Sequence, residues 1–316
     1  YGFDLVLVSY LRLSFDSAPA QVEPLRNMFE ILFSVFLAAQ GSAANNNYQA
    51  VLETLHTINQ QNPTTTQWID IGMSDSGQMI SGLKIGNGEI ADLIVATHHG
   101  NEYGSTAVAL GAAESLAQNP LPGHTVYVIP VLNISGFNQK NRYERTANGS
   151  IDDNRDYPGP CVRGKSFQSK ATKALADFVD KANIVSSATL HTYWPAVLYP
   201  WGFSTRDIVT KDESTFVGLT KAAVVESGYQ IGNSKELLYA ADGAFEDYAY
   251  WKHGIWSLLF EMGNSHYPTS DQMKQMAAVN VPGLRRFLEN APKQRAADHA
   301  FTGKCDFSLQ GRTHLE

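Results

Sequence analysis

The 316 residues are 43% hydrophobic and 17% charged, with 25 glycines spread along the chain, a composition that excludes a disordered or fibrous protein and leaves room for one large α/β domain. A formal net charge of −7 without a Lys/Arg cluster argues against a nucleic-acid partner. Cys161 and Cys305 are too few for a zinc ribbon or a disulfide framework and leave open one bridge or two thiols, so any metal has to rest on His and carboxylate ligands.

Near the start, the apolar run Ile31–Ala39 follows Arg26 and Met28 and leads into Gly41-Ser42-Ala43-Ala44. Residues 28–44 read as a signal-like segment, which sets 1–44 apart as a leader and points to a secreted or periplasmic protein. The run falls short of the ~20 apolar residues that span a bilayer. From Tyr48, apolar residues at Val51, Leu52, Leu55 and Ile58 mark a helix that Pro63 stops. Trp68–Gly72 and Ile80–Ile85 read as antiparallel strands, with a hairpin turn at Asn87-Gly88. Ala91–Thr97 is a doubly buried strand, Ser105–Gln118 an Ala-rich helix, and Thr125–Leu132 a further buried strand. A helix over Ser166–Lys181, a strand over Ile184–Leu190 and a helix over Thr215–Ser227 follow. The chain closes with a short helix over Glu246–Lys252, a strand over Trp256–Glu261 and a helix over Asp271–Asn290 broken at Pro282-Gly283. Alternating strands and helices predict an α/β fold with a mixed sheet and helices on both faces, in one domain over 45–316.

Ligands of such folds bind beyond the carboxyl ends of the strands. Three polar clusters stand there: His98-His99-Gly100-Asn101-Glu102 after the first buried strand, His191-Thr192-Tyr193 after Ile184–Leu190, and Glu261 after Trp256–Phe260. An imidazole and a carboxylate three residues apart on a tight turn can converge on one ion, and His191 is the natural third ligand. Alone, an H-x-x-E pair is a weak signal, and His98, His99 and His191 could equally be turn and strand-end residues. A serine-hydrolase reading of Gly72-Met73-Ser74-Asp75-Ser76 fails, because that segment reads as a hairpin and lacks the closing Gly of a nucleophile elbow.

The ordered series His99-Gly-Asn-Glu102, Asn141-Arg-Tyr-Glu-Arg145, Asp152-Asp-Asn154-Arg155-Asp156-Tyr157-Pro158, Leu190-His191-Thr-Tyr193 with Tyr199-Pro-Trp-Gly202, Tyr239 through Gly243 to Asp247, and Phe260-Glu261 resembles the zinc carboxypeptidase A/B family over residues 48–290. The resemblance implies a mixed, mostly parallel eight-stranded sheet. It implies Zn2+ on the family's His2Glu set, here His99, Glu102 and His191. It further implies Asp152 as the carboxylate that orients the first histidine, and Glu261 as general base and acid. Arg145 would stabilise the oxyanion, with Arg142 as the alternative. Asn154 and Arg155 would bind the terminal carboxylate of a peptide substrate, under a capping Tyr239. Glu246 matches the position that reads the terminal side chain, and an acid there implies a preference for basic residues. The expected activity is hydrolysis of the C-terminal peptide bond.

Two departures keep an alternative open. Gly100-Asn101 resembles the family's deacylase branch, and Asp156 replaces the Asn that usually follows the Asn-Arg pair. The alternative is a zinc amidohydrolase acting on a small N-acyl amino acid or a cell-wall peptide.

Overall fold

The computed structural model describes residues 48–310 apart from Ile208, so the leader and its signal-like segment 28–44 lie outside the described residues. Helix α1 (Tyr48–Gln61) buries Tyr48, Val51, Leu55 and Ile58 on one face. Each of these is worth roughly 1.5–3 kcal/mol of apolar burial. Tyr48 also fixes where the helix docks: its hydroxyl donates to the Met79 carbonyl at 2.8 Å and accepts from the Ser81 N–H at 2.8 Å.

Strands β1 (Thr66–Met73) and β2 (Met79–Gly86) form an antiparallel hairpin. Its turn is held by Ser74, whose hydroxyl lies 2.7 Å from that of Ser76. Then come β3 (Ile90–Ala96), α2 (Tyr103–Gln118), β4 (His124–Ile129), α3 (Ile134–Gln139) and a small hairpin of β5 (Glu144–Thr146) and β6 (Gly149–Ile151). Helix α4 (Lys170–Lys181), β7 (Ser186–His191), β8 (Ala196–Leu198), α5 (Glu213–Ala223), β9 (Gln230–Gly232), α6 (Ser234–Leu237), α7 (Phe245–His253), β10 (Trp256–Glu261) and α8 (Ser270–Asn290) complete the order. The eight-stranded sheet runs β1-β2-β4-β3-β7-β10-β8-β9. Its pairings β3–β4, β3–β7, β7–β10 and β8–β9 are parallel and the other three antiparallel. Strands β3, β7 and β10 are buried almost throughout, as strands covered on both faces must be. Helices α2, α5 and α8 pack together as one layer, while α4 lies on β1 and α7 on β7 and β10.

Three sequence expectations are corrected. Asn87-Gly88 does not turn a hairpin, because β4 inserts between β2 and β3. Gly88 instead crosses the start of β4: a Cβ there would lie 1.9 Å from the Gly123 carbonyl carbon, and its N–H donates to the His124 carbonyl at 3.0 Å. Helix α4 starts at Lys170 and not at Ser166, because Phe167 sits at φ 56°, in the left-handed region. Helix α8 runs unbroken through Pro282. An interior proline costs about 3 kcal/mol, but the buried stripe of Met276, Ala277, Val281, Leu284, Phe287 and Leu288 continues past it and outweighs that cost. Gly283 serves packing, since a Cβ there would meet the Ala223 carbonyl oxygen of α5 at 2.1 Å.

The sulfurs of Cys161 and Cys305 are bonded, 144 residues apart in sequence. The parallel register sets Glu261 beside His191 and Ala96 beside Leu190, so β3, β7 and β10 present their carboxyl ends side by side.

Candidate metal centre

The chain leaves β3 through Thr97, at φ 63°, whose buried hydroxyl lies 2.6 Å from that of Thr106 and donates to the Pro130 carbonyl at 3.0 Å. This anchored turn delivers His98 and His99. Gly100 follows because no side chain fits: a Cβ would stand 2.1 Å from the Gly136 carbonyl carbon, and the Gly100 N–H donates to the Arg142 carbonyl at 3.1 Å. Glu102 then opens α2.

His99, Glu102 and His191 are all buried, and one ligand atom from each lies within 4.8 Å of the others. Nδ1 of His99 stands 2.7 Å from Oε1 of Glu102, and Nδ1 of His191 stands 3.0 Å from Oε2. The other nitrogen of His99, Nε2, bonds Asp152 at 3.0 Å, which orients the ring with Nδ1 toward the cluster. Nδ1 of His191 faces only the Glu102 carboxylate and Nε2 has no partner, although the side chain is fully enclosed. A buried imidazole so poorly partnered is expensive unless an ion takes its lone pair. Two nitrogens and a carboxylate, with a second carboxylate behind the first histidine, fit a zinc site that keeps a fourth position open.

Burial alone would raise the Glu102 carboxyl, but the charges and hydrogen bonds of His99 and His191 outweigh it and hold the group well below the usual carboxylate range. Asp152 follows the same pattern: burial opposes ionisation, while His99, Arg155 and Arg142 hold it well below. His98 is not a ligand. Its Nε2 faces the Tyr157 hydroxyl at 3.0 Å and its Nδ1 the Thr189 hydroxyl at 3.2 Å, and burial together with His191 and His99 keeps it neutral.

Glu261 closes β10 with Oε2 buried and unpartnered. Burial, and then the Glu102 charge, push its carboxyl well above the ordinary value, while Arg142 and Arg155 pull the other way. Arg155 donates from Nη2 to the Tyr239 hydroxyl at 3.1 Å and from Nη1 to the Asn154 carbonyl, with the guanidinium 5.5 Å from the Tyr239 ring centre. The Asn154 side chain accepts from the Phe245 N–H at 2.9 Å, tying this turn to the start of α7. Gly243, at φ 81°, lets the chain pass against the Arg155 carbonyl, 2.5 Å from where a Cβ would be. The next turn buries Glu246 to 2% exposure, with Oε2 unpartnered.

The zinc carboxypeptidase family model matches residues 51–283. The chain belongs to the zinc carboxypeptidase family. As a zinc carboxypeptidase it is a metallocarboxypeptidase-class hydrolase with zinc as its cofactor. It is 26% identical to human carboxypeptidase B over 288 residues, which cover 76% of this chain and 69% of the relative. Carboxypeptidase B of Astacus astacus is matched over 82% of its length and bovine carboxypeptidase O over 41%. Among solved structures, bovine thrombin-activatable fibrinolysis inhibitor, in complex with tick carboxypeptidase inhibitor, superposes with a TM-score of 0.71 at 20% identity, over 77% of this chain and 95% of that one. Murein-tripeptide amidase from Escherichia coli O157 superposes with a TM-score of 0.51 at 17% identity, over 73% and 94%; both likenesses are of fold.

Within this zinc carboxypeptidase, two sequence-based positions shift. Arg145, expected at the oxyanion, is exposed on β5 opposite Ser150 of β6, and its backbone N–H donates to the Ser135 hydroxyl at 2.7 Å. Arg142 is the arginine joined to the cluster: Nε and Nη2 each lie 2.9 Å from Oδ2 of Asp152, and its charge acts on His99, His191 and Glu261. Asp156 does not alter the charge beside Arg155. It turns into the core and accepts from the N–H groups of Gln168 at 3.0 Å and Ser169 at 2.9 Å and from the Thr172 hydroxyl at 2.6 Å, so it holds the turn that enters α4.

Asp152 bears on metal affinity through this geometry. Asp152→Asn removes the charge that holds His99 and is expected to weaken zinc binding by about 10–100-fold. Competition titration against a chelator of known affinity measures this; unchanged affinity would remove Asp152 from the centre.

Proposed function

We propose that this chain is a zinc-dependent exopeptidase that releases the last residue of a peptide and favours Lys or Arg at that position. The observation that carries the reading is the placement of Arg155. Its guanidinium, steadied by Tyr239 and the Asn154 carbonyl, acts electrostatically on both Glu261 and the buried Glu246. A forked cation whose charge reaches both a proton-transferring carboxyl and an enclosed acid suits a free chain end whose side chain is basic.

Bound at His99, Glu102 and His191, zinc supplies Lewis acidity toward a carbonyl oxygen and acidifies water. Asn154 and Arg155 take the terminal carboxylate and so set the register of the scissile bond. Glu261 removes a proton from the attacking water and passes it to the departing amine; its raised affinity for protons makes it able to hold that proton between the two steps. Arg142 steadies the developing oxyanion with the donors that Asp152 leaves free. Tyr239, bonded to Arg155, covers the bound end.

The test is hydrolysis of matched peptides ending in Lys, Arg, Phe, Leu or an amidated residue, with and without a zinc-selective chelator. Chelator-sensitive release of free Lys and Arg is expected, with none from amidated ends. No release from any peptide by zinc-loaded protein would overturn the exopeptidase reading in favour of the amidohydrolase one, for which N-acyl amino acids and cell-wall peptides are the substrates to try.

A further inference from the structure

Behind the substrate-carboxylate residues lies a second group of acids that the proposed reaction does not use. Glu144 on β5 and Asp153 in the turn after β6 are both fully buried. Oε2 of Glu144 accepts a long hydrogen bond from the Ser135 N–H, at 3.3 Å, but Oε1 has no partner, and neither oxygen of Asp153 has one. The hydroxyls of Ser135 and Ser169 border them. The charges of Glu144, Asp156 and Asp152, all of its own sign, act on Asp153. Asp156 cannot help, since its oxygens are taken by the start of α4.

From this geometry we infer that Glu144 and Asp153, with the hydroxyls of Ser135 and Ser169, form a binding site for a hard divalent cation of the calcium type, separate from the zinc centre. Two enclosed acids that have little beyond the Ser135 and Ser169 hydroxyls and one long backbone bond to face them need positive charge or protons. One proton neutralises one of the two acids, whereas a divalent cation neutralises both. An all-oxygen donor set with two carboxylates selects calcium or magnesium over zinc. Enclosure favours calcium, because magnesium gives up its water reluctantly. Burial raises the Glu144 carboxyl to about 7 and Asp153 well above its ordinary value, as expected of acids that lack their counter-charge.

The placement gives the cation a consequence for the active site. Asp153 stands between Asp152, which holds His99 and Arg142, and Asn154, which holds the start of α7. A cation on Asp153 therefore pins the segment that carries Arg155.

Equilibrium dialysis of the zinc-loaded full chain against calcium, with magnesium in a parallel arm, tests the inference without reference to activity. One calcium per chain beyond zinc is expected, with a Tm raised by roughly 5 °C at a hundredfold excess over Kd. Asp153→Asn and Glu144→Gln are each expected to abolish both effects while zinc content stays the same. Calcium binding retained in both variants would overturn the site. If the variants do not fold, the wild-type chain decides: folded, zinc-loaded protein that binds neither cation leaves the pair neutralised by protons and the inference refuted.

Discussion

Glu261→Gln is expected to lower kcat by about 10²–10⁴-fold, the usual worth of a positioned general base and acid, while zinc content stays unchanged. The substitution keeps the size of the side chain and its place at the end of β10, beside His191 in the parallel register. What it removes is the ability to take a proton and give it back. The ordinary structural explanation for a Glu here would be a hydrogen-bonded strand end, but Oε2 is buried and makes no hydrogen bond. The neighbouring Glu102 raises its proton affinity further after burial has done so, an arrangement that suits a proton-transfer group. Single-turnover hydrolysis alongside metal analysis makes the measurement. Activity within a few-fold of wild type at full zinc loading would eliminate Glu261 as the proton carrier, and lost zinc would recast it as a support of the metal centre.

The carboxyl-end clustering behind this prediction was legible because β3 and β10 are nearly continuous apolar runs and β7 a short run of small and apolar residues, and they stop at His98-His99, Glu261 and His191. Hydrophobic patterning locates such strands, and parallel α/β topology gathers their ends. Pairing between distant strands left no comparable mark. The Asn87-Gly88 dipeptide looks like a hairpin whether or not its flanking strands are neighbours, and only the insertion of β4 shows that they are not. The same limit applies to the two arginines. Arg142 and Arg145 stand three residues apart in similar surroundings, and the choice depends on where Asp152 lies after the β5–β6 hairpin returns. Asp153 and Asp156 flank the Asn-Arg pair, and nothing in an acidic loop announces which carboxylates turn inward. The Cys161–Cys305 bond closes 144 residues, a pairing that geometry alone reveals. Gly100 is the opposite case: its identity suggested another branch of the family, yet the close approach of Gly136 explains it without reference to substrate.

Glu246→Leu is expected to reduce the preference for Arg over Leu at the peptide terminus by about 100-fold or more, because a cationic side chain would then enter an enclosed site without a counter-charge. The alternative for this residue, a solvated position on α7, is excluded by its 2% exposure. Leucine fills a similar volume without a polar atom, so the same change should improve cleavage of apolar termini. The ratio is also expected to depend on pH in the wild-type chain. Burial raises the carboxyl from 4.5 to about 7, against the opposing pull of Arg155 and His99. Below that pH the free enzyme carries a neutral acid here, and above it a carboxylate. Since kcat/KM reports ionisations of the free enzyme, the Arg-to-Leu ratio should rise as pH increases through about 7 and flatten above it. A bound lysine or arginine stabilises the carboxylate, so the corresponding step in kcat should lie at lower pH. The same shift predicts a stability effect of opposite direction: the folded chain holds this proton more tightly than the unfolded chain, so its contribution to stability falls as pH rises from about 4.5 toward 7. Glu246→Leu should remove both the step in selectivity and that slope in stability. A selectivity ratio unchanged by the substitution, with the slope abolished, would show that Glu246 titrates in a buried site that substrate side chains never reach.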